Sequence, residues 1–295
     1  MINQLKFKSN STSDFSILQL TDLHLMQNEK DELTFDLIKR LVLATHPDLI
    51  VITGDLTMHS DSISLYAVLG KHLEKFKIPF TYVFGNHDTE GSAIKEELIQ
   101  AIAPYKFNFF PKNKEDIFDE TNYKLSIFNN INQMIWSLFF FDSNNTKDYL
   151  IEEKKVWGYD TIHKNQVNWY SDQVKKLPII SGKICPSIAF FHIPLPEFQI
   201  KSPLKIGNQF ENPCVPLENT GLFQQMKKYS STKGVFVGHD HYNDFQFIHD
   251  EILLAYGRVT GYYDYLDIIY LRGARLINLH QDGSFDTKII LENEV

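Results

Sequence analysis

Three apolar runs, each closing on a cluster of metal-ligand side chains, decide how this chain is read. Ile17-Leu18-Gln19-Leu20 leads into Thr21-Asp22-Leu23-His24, Leu49-Ile50-Val51-Ile52 into Thr53-Gly54-Asp55, and Phe80-Thr81-Tyr82-Val83-Phe84 into Gly85-Asn86-His87-Asp88. Between them lie two stretches of helical periodicity, residues 31–43 and 61–76. The first places Leu33, Leu37, Ile38 and Leu41 on one face, and the second Leu65, Leu69, Leu73 and Phe76. Short apolar runs alternating with helical periodicity predict βαβαβ with parallel strands. Open α/β sheets bind ligands outside the carboxyl ends of their strands. Asp22, His24, Asp55, Asn86 and His87 all fall at those ends, on strands expected to be neighbours, so they are read as one site.

Outward from this stretch, residues 92–102 read as a short helix and residues 122–128 and 133–141 as a hairpin around an Asn-rich turn. Val156-Trp157-Gly158-Tyr159 reads as an aromatic loop, and residues 163–177 as an amphipathic helix with Val167, Tyr170, Val174 and Leu177 in register. A buried strand at 187–191 stops at His192-Ile193-Pro194. The proline-rich segment 196–218 has no period and is expected to be an irregular lid. A short helix at 219–229 precedes the strand Gly234-Val235-Phe236-Val237, which ends in Gly238-His239-Asp240-His241. Residues 245–290 read as a meander of short strands, and the first 15 residues as a polar lead-in or edge strand. Two βα-rich halves with added antiparallel strands imply two sheets packed face to face with helices outside.

Composition narrows the function. The 295 residues are 43% hydrophobic, which suits one large α/β domain. The expectation is a single domain over 1–295, with a motif core at about 15–245 and a β-rich part at 245–292 packing on it. The net charge of −8 and the lack of a basic run argue against duplex nucleic acid as a partner. Two cysteines without CxxC spacing imply reduced thiols rather than a disulfide framework. The N-terminus has no signal-peptide pattern, and the longest apolar stretch, 134–141, is far below the roughly 20 residues a membrane helix needs. A soluble, cytoplasmic protein without a membrane role is expected, with unconventional secretion left open. Oligomeric state is not legible.

The strand-end residues Asp22, His24, Asp55, Asn86, His192, His239 and His241 make two carboxylates, four imidazoles and an amide oxygen. One four-coordinate ion needs only four ligands, so seven suit two ions sharing a carboxylate. The mixed N/O set fits manganese, iron, zinc, cobalt or nickel, divalent or trivalent. Taken singly, each piece has an ordinary reading: a satisfied buried histidine, a chance Asp-x-His, a Gly-Asn turn. His239 and His241 carry more weight, since alternate residues of an extended segment point the same way. All of these follow apolar strands in one order, and chance does not explain the joint pattern.

That order, Asp-x-His, Gly-Asp, Gly-Asn-His-Asp, His, Gly-His-x-His, resembles the signature of the calcineurin-like metallophosphoesterases over about residues 17–241. The segments 190–196 and 233–245 are most similar to the purple-acid-phosphatase-like branch. The resemblance implies an α/β fold, the αββα four-layer sandwich of two mixed sheets flanked by helices. It implies that Asp22, His24, Asp55 and His241 hold one metal and Asp55, Asn86, His192 and His239 the other, with Asp55 bridging. The branch's metal-bound tyrosine, three residues after the bridging aspartate, is Met58 here, so the purple colour is not expected.

The implied activity is a dinuclear-metal phosphohydrolase, foremost a phosphomonoesterase with a bridging hydroxide as nucleophile, acting on a phosphorylated small molecule or a phosphoprotein. His87, beside the ligand Asn86, is the expected leaving-group acid. His59, which would orient His87, and Asp88, Asn243 and Asp244 are candidates for supporting the ligands. Trp157, Tyr159, Tyr242, Tyr262 and Tyr263 are aromatics available to line a cleft, and Arg258 is read as an exposed salt-bridge partner. A phosphodiesterase acting on cyclic nucleotides is the rival within the fold. A metal-free binding scaffold is the rival outside it, and retention of all seven ligand types argues against that.

Overall fold

The computed structural model describes residues 4–8, 14–112, 118, 121–263 and 270–295, so parts of the expected polar lead-in and of the C-terminal strand region lie outside the described residues. In chain order the first elements are β1 (Leu5–Lys6), β2 (Phe15–Leu20), α1 (Glu29–Thr45), β3 (Leu49–Thr53), α2 (Ser62–Glu74), β4 (Phe80–Val83) and α3 (Lys95–Ile102). There follow β5 (Tyr123–Phe128), β6 (Met134–Phe140), β7 (Thr146–Ile151), β8 (Lys154–Tyr159), α4 (Lys164–Lys175), β9 (Ile179–Ile180), β10 (Lys183–Ile184) and β11 (Ser187–Phe190). The chain continues with α5 (Leu222–Tyr229), β12 (Thr232–Val237), β13 (Gln246–His249), β14 (Ile252–Tyr256), β15 (Gly273–Leu279) and β16 (Phe285–Leu291).

Two mixed sheets form the centre. One runs β16-β15-β2-β3-β4 and the other β1-β5-β6-β11-β12-β14-β13. Strands β2, β3 and β4 are parallel neighbours, with Leu20 opposite Ile52 and Thr53 opposite Val83, so their carboxyl ends share one edge. In the second sheet β6, β11 and β12 are parallel, with Phe190 opposite both Phe140 and Phe236. Side-chain alternation along these strands sorts the layers. Leu138 and Phe140, Ile188 and Phe190, and Phe236 join the core shared with the first sheet and α1–α3. Their neighbours Phe139 and Phe141, Ala189 and Phe191, and Val235 and Val237 join the core beneath α4 and α5. The result is the four-layer αββα arrangement that the strand–helix pattern implied.

Four expectations need correction. Leu33 is half exposed, because the buried face of α1 runs through Phe35, Leu37, Ile38, Leu41 and Val42 instead. The aromatic stretch 156–159 is strand β8, paired antiparallel with β7 across a two-residue turn, Glu152-Glu153, whose residues take positive φ without the Gly or Asn that marks such a turn in a sequence. The C-terminal strands are no meander. β14 pairs parallel with β12, whereas β15 crosses to the other sheet and pairs antiparallel with β2. Segment 196–218 is not structureless: Pro196–Gln199 form a 3₁₀ turn, and Ile206 and Gln209 bridge to Gln246 and Asn243. No described helix is long and apolar enough to cross a membrane.

Candidate metal centre

The loops leaving β2 and β3 are stitched together, with Asp22 N donating to Gly54 O and His24 N to Asp55 O at 3.0 Å. The loops leaving β11 and β12 are joined by Gly238 N donating to His192 O at 3.1 Å. These turns hold Asp22, His24, Asp55 and His239 at φ of 52°, 44°, 50° and 80°. Left-handed conformations cost a non-glycine residue free energy and cluster where function demands them. The backbone is bent to aim these side chains inward. His239 and His241 therefore do not share one face of an extended segment. The turn sends them to different partners.

Two buried groups result. Asp22, His24 and His241 bring ligand atoms within 4.8 Å of one another, and Asp55, His192 and His239 do the same. Asp55 joins the two: its Oδ2 lies 3.4 Å from His24 Nε2 and 3.1 Å from His192 Nε2. Asn86 Oδ1 lies 3.1 Å from His192 Nε2, and His239 Nδ1 lies 3.3 Å from the same nitrogen. On the other side, His24 Nε2 is 2.9 Å from His241 Nε2, which is 3.5 Å from Asp22 Oδ1.

The donor chemistry fits metal ions. His192 Nδ1 faces Thr53 O at 2.8 Å, so that nitrogen carries the proton. In the neutral ring Nε2 is then a lone pair, yet it faces the oxygens of Asp55 and Asn86. Acceptors converging on one point call for a cation. Electrostatics agrees. Burial alone would lower the pKa of His192, but Asp55 and Asp22 raise it to about 10, so positive charge is favoured there. Burial would raise Asp22, but His241 and His192 carry it down to about 2. Burial likewise opposes ionisation of Asp55, and His192 and His24 hold its pKa well below the carboxylate range. Burial pushes His24 and His239 down to about 3, leaving them neutral, as metal ligation requires. His24 Nδ1 and His239 Nε2 have no hydrogen-bond partner among the described residues.

Close backbone approach fixes the site. Gly54 has φ +89°, and a Cβ there would meet His192 Nδ1 at 2.5 Å. A Cβ on Gly85 would meet Asp55 Oδ1 at 2.1 Å. Asp88 is fully buried and ties the two loops, accepting from Thr57 N at 3.0 Å and Gly85 N at 2.8 Å. His87 N donates to Asp55 Oδ1 at 2.9 Å, and its half-exposed ring stands against His24 with centroids 5.2 Å apart.

The supporting residues partly depart from the sequence reading. The partner of His87 Nδ1 is Glu90 Oε1, whereas His59 Nδ1 accepts from Asp61 N at the start of α2. Asn243 and Asp244 hold segment 206–211 rather than the ligands. Asn243 Oδ1 accepts from Glu211 N, and Asp244 accepts from Asn208 N and pairs with Arg258. Arg258 is buried, not exposed, and lies over the Tyr270 ring at 3.4 Å.

A cavity of about 310 Å³ opens onto Asp55, His24, His239 and His241 and is walled by Met58, His87, Tyr159, Glu211, Cys214 and Tyr263. Of the expected aromatics, Tyr159 and Tyr263 reach it, Trp157 stands exposed against Tyr159, Tyr242 is core, and Tyr262 bonds Glu292. Sequence reasoning missed Glu90, three residues past His87 in a turn, and Glu211, carried in by the proline-rich segment. Neither has a local signal.

The family model for calcineurin-like phosphoesterases matches residues 15–243. The chain is 30% identical to a protein of Arabidopsis thaliana named probable inactive purple acid phosphatase 29, across 93% of this chain and 78% of that one. It is 33% identical to phosphatase DCR2 of Saccharomyces cerevisiae across 82% of this chain but only 47% of that protein. A dimetal phosphatase from Danio rerio superposes with a TM-score of 0.64 over 94% of this chain and 96% of its own, at 11% identity, which speaks to fold alone.

Proposed function

The chain belongs to the calcineurin-like phosphoesterase family, and from that premise we propose that it is a dinuclear-metal phosphomonoesterase. The observation that carries the reading is the convergence of both donor groups on Asp55 Oδ2. Asp22, His24 and His241 would hold one ion and His192, His239 and Asn86 the other, with Asp55 shared between the two groups. Two bound ions would supply Lewis acidity and an activated water. Two divalent ions would exceed the charge of Asp22 and Asp55 by about two units, which matches a phosphate dianion within an acidic protein.

The chain's own groups do the rest. Thr53 O fixes the His192 tautomer so that Nε2 would be the ligating nitrogen. Thr21 Oγ1 and His239 N orient the Asp22 carboxylate. His87 is the proton donor to the leaving alcohol, with Nδ1 held by Glu90 and Nε2 left to face the substrate. We also read residues 1–295 as one domain, a reading supported by the pairing of β15 with β2.

One relative is named a phosphatase at 33% identity and another a 3',5'-cyclic-nucleotide phosphodiesterase at 24%, so the diester remains the rival that the test addresses. The relative named inactive does not decide the matter, because catalysis here is argued from a donor set that lacks none of its seven members. The test is a panel of phosphate monoesters, phosphoproteins and cyclic and linear diesters, assayed with added manganese, iron, zinc, cobalt or nickel. Highest turnover on monoesters is expected. A diester turned over faster than every monoester would replace the reading.

A further inference from the structure

Glu211 puts a carboxylate into the wall of the substrate cavity, and among the described residues no lysine or arginine lines it. The loop that carries Glu211 is fixed on both sides. Asn208 is held by Asp244, the Glu211 amide donates to Asn243 Oδ1, and Cys214 N donates to Asp240 at 3.2 Å. The side chain is fixed as well, since Glu211 Oε1 accepts from Tyr242 N at 2.7 Å. Behind these contacts lies the buried Asp244–Arg258 pair, so the carboxylate is preorganised rather than swept in by a mobile loop.

Two tyrosines share this wall. Tyr159 packs edge-on against His239, with centroids 4.4 Å apart, and Tyr263 lies 5.4 Å from His24. Since His239 belongs to one donor group and His24 to the other, an aromatic ring flanks each end of the centre. The two ions and their carboxylates already balance one phosphate dianion. A further anionic group on the substrate would meet Glu211 and, among the described residues, no lysine or arginine. A cationic group would meet a carboxylate and aromatic rings, the chemistry that recognises alkylammonium ions.

Resting on the monoesterase reading above, we propose that Glu211 is a specificity-determining residue that selects monoesters whose alcohol carries an alkylammonium group. The cation is held beside Glu211 while the phosphate occupies the metal centre.

The test uses two non-hydrolysable ligands of one shape, 3-(trimethylammonio)propylphosphonate and its neutral isostere 4,4-dimethylpentylphosphonate. Both are titrated calorimetrically into the metal-loaded chain. The wild type should bind the ammonium ligand about tenfold more tightly, the scale of one solvent-screened charge pair. Glu211→Gln should reduce the preference to about twofold or less. Equal affinities in the wild type, or a preference that survives Glu211→Gln, would overturn the proposal. Turnover of choline phosphate and of 3,3-dimethylbutyl phosphate, measured alongside, separates this claim from the one it rests on. Ammonium-selective binding without hydrolysis of any monoester contradicts the esterase reading and upholds the role of Glu211. Brisk hydrolysis of both esters at equal kcat/KM upholds the esterase and removes the role of Glu211.

Discussion

His87 Nδ1 meets Glu90 Oε1 at 2.5 Å, three residues along the same turn, and the His87 side of this pair lines the cavity that Asp55 also lines. With Nδ1–H donated to this carboxylate, His87 can give a proton from Nε2 only as the imidazolium, a cation that pairs with the adjacent carboxylate. His87→Ala should keep its metals and lose about 10²–10⁴-fold in kcat, the usual contribution of a positioned acid–base group. The defect should be mild with p-nitrophenyl phosphate, whose phenolate leaves without a proton, and severe with phosphoserine. Glu90→Gln should show the same leaving-group pattern at smaller size. An equal defect on both substrates would remove His87 from the role of leaving-group acid.

Acid should destabilise the metal-free chain through its buried neutral imidazoles. Burial pushes His24 and His239 down to about 3. An unfolded histidine takes up its proton near pH 6.5, so below that the unfolded state binds protons the folded state refuses. The stability these two contribute is present above about pH 6.5 and is lost as the pH falls through the window down to about 3. His192, raised to about 10, gains the last of its contribution as the pH falls through about 6.5 and so offsets only part of the loss from the two depressed rings. Melting of chelator-treated protein should show Tm falling from pH 7 to pH 5, with a flatter slope in His24→Gln. A Tm that rises on acidification would contradict this.

The buried Asp244–Arg258 pair anchors the segment that carries Glu211. Arg258→Met should cost about 3–5 kcal/mol, because it leaves a buried carboxylate without its cation. Denaturant titration reads the cost, and amide exchange should show protection lost first at residues 206–211. A loss below about 1 kcal/mol would mean that water reaches Asp244 in the folded state.

Met58 lines the cavity at the position where the resembled branch carries a tyrosine ligand. Iron-loaded protein should therefore lack the strong visible band of a tyrosinate-to-iron transition. A purple preparation would show that Tyr159 or Tyr263 reaches the metal.

How far the sequence reaches differs by residue. Asp22, Asp55, Asn86, His192 and His239 were legible because each follows an apolar strand, and strand ends are where a parallel sheet presents ligands. The division of His239 and His241 between two groups follows from the family resemblance and not from residue spacing, since it depends on a left-handed turn at His239 that residue type does not announce. The exposure of Leu33 escaped because helical spacing fixes relative position around the axis but not which arc meets the sheet. Glu90, Glu211 and the Asp244–Arg258 pair escaped because their roles come from tertiary placement. β8 escaped because its hairpin turn is Glu152-Glu153 rather than an Asn-Gly type, and β15 because pairing across a long sequence separation leaves no local mark.

The central claim is that Asp55 bridges two ions, and metal stoichiometry in Asp55→Asn tests it most directly. Elemental analysis of the metal-reconstituted wild type should approach two ions per chain. Asp55→Asn, which removes the shared charge and leaves the cations to repel, should fall to one or fewer and lose more activity than any other single ligand variant. A wild type that saturates at one ion, or an Asp55→Asn protein that keeps two ions and near-normal turnover, would contradict the account.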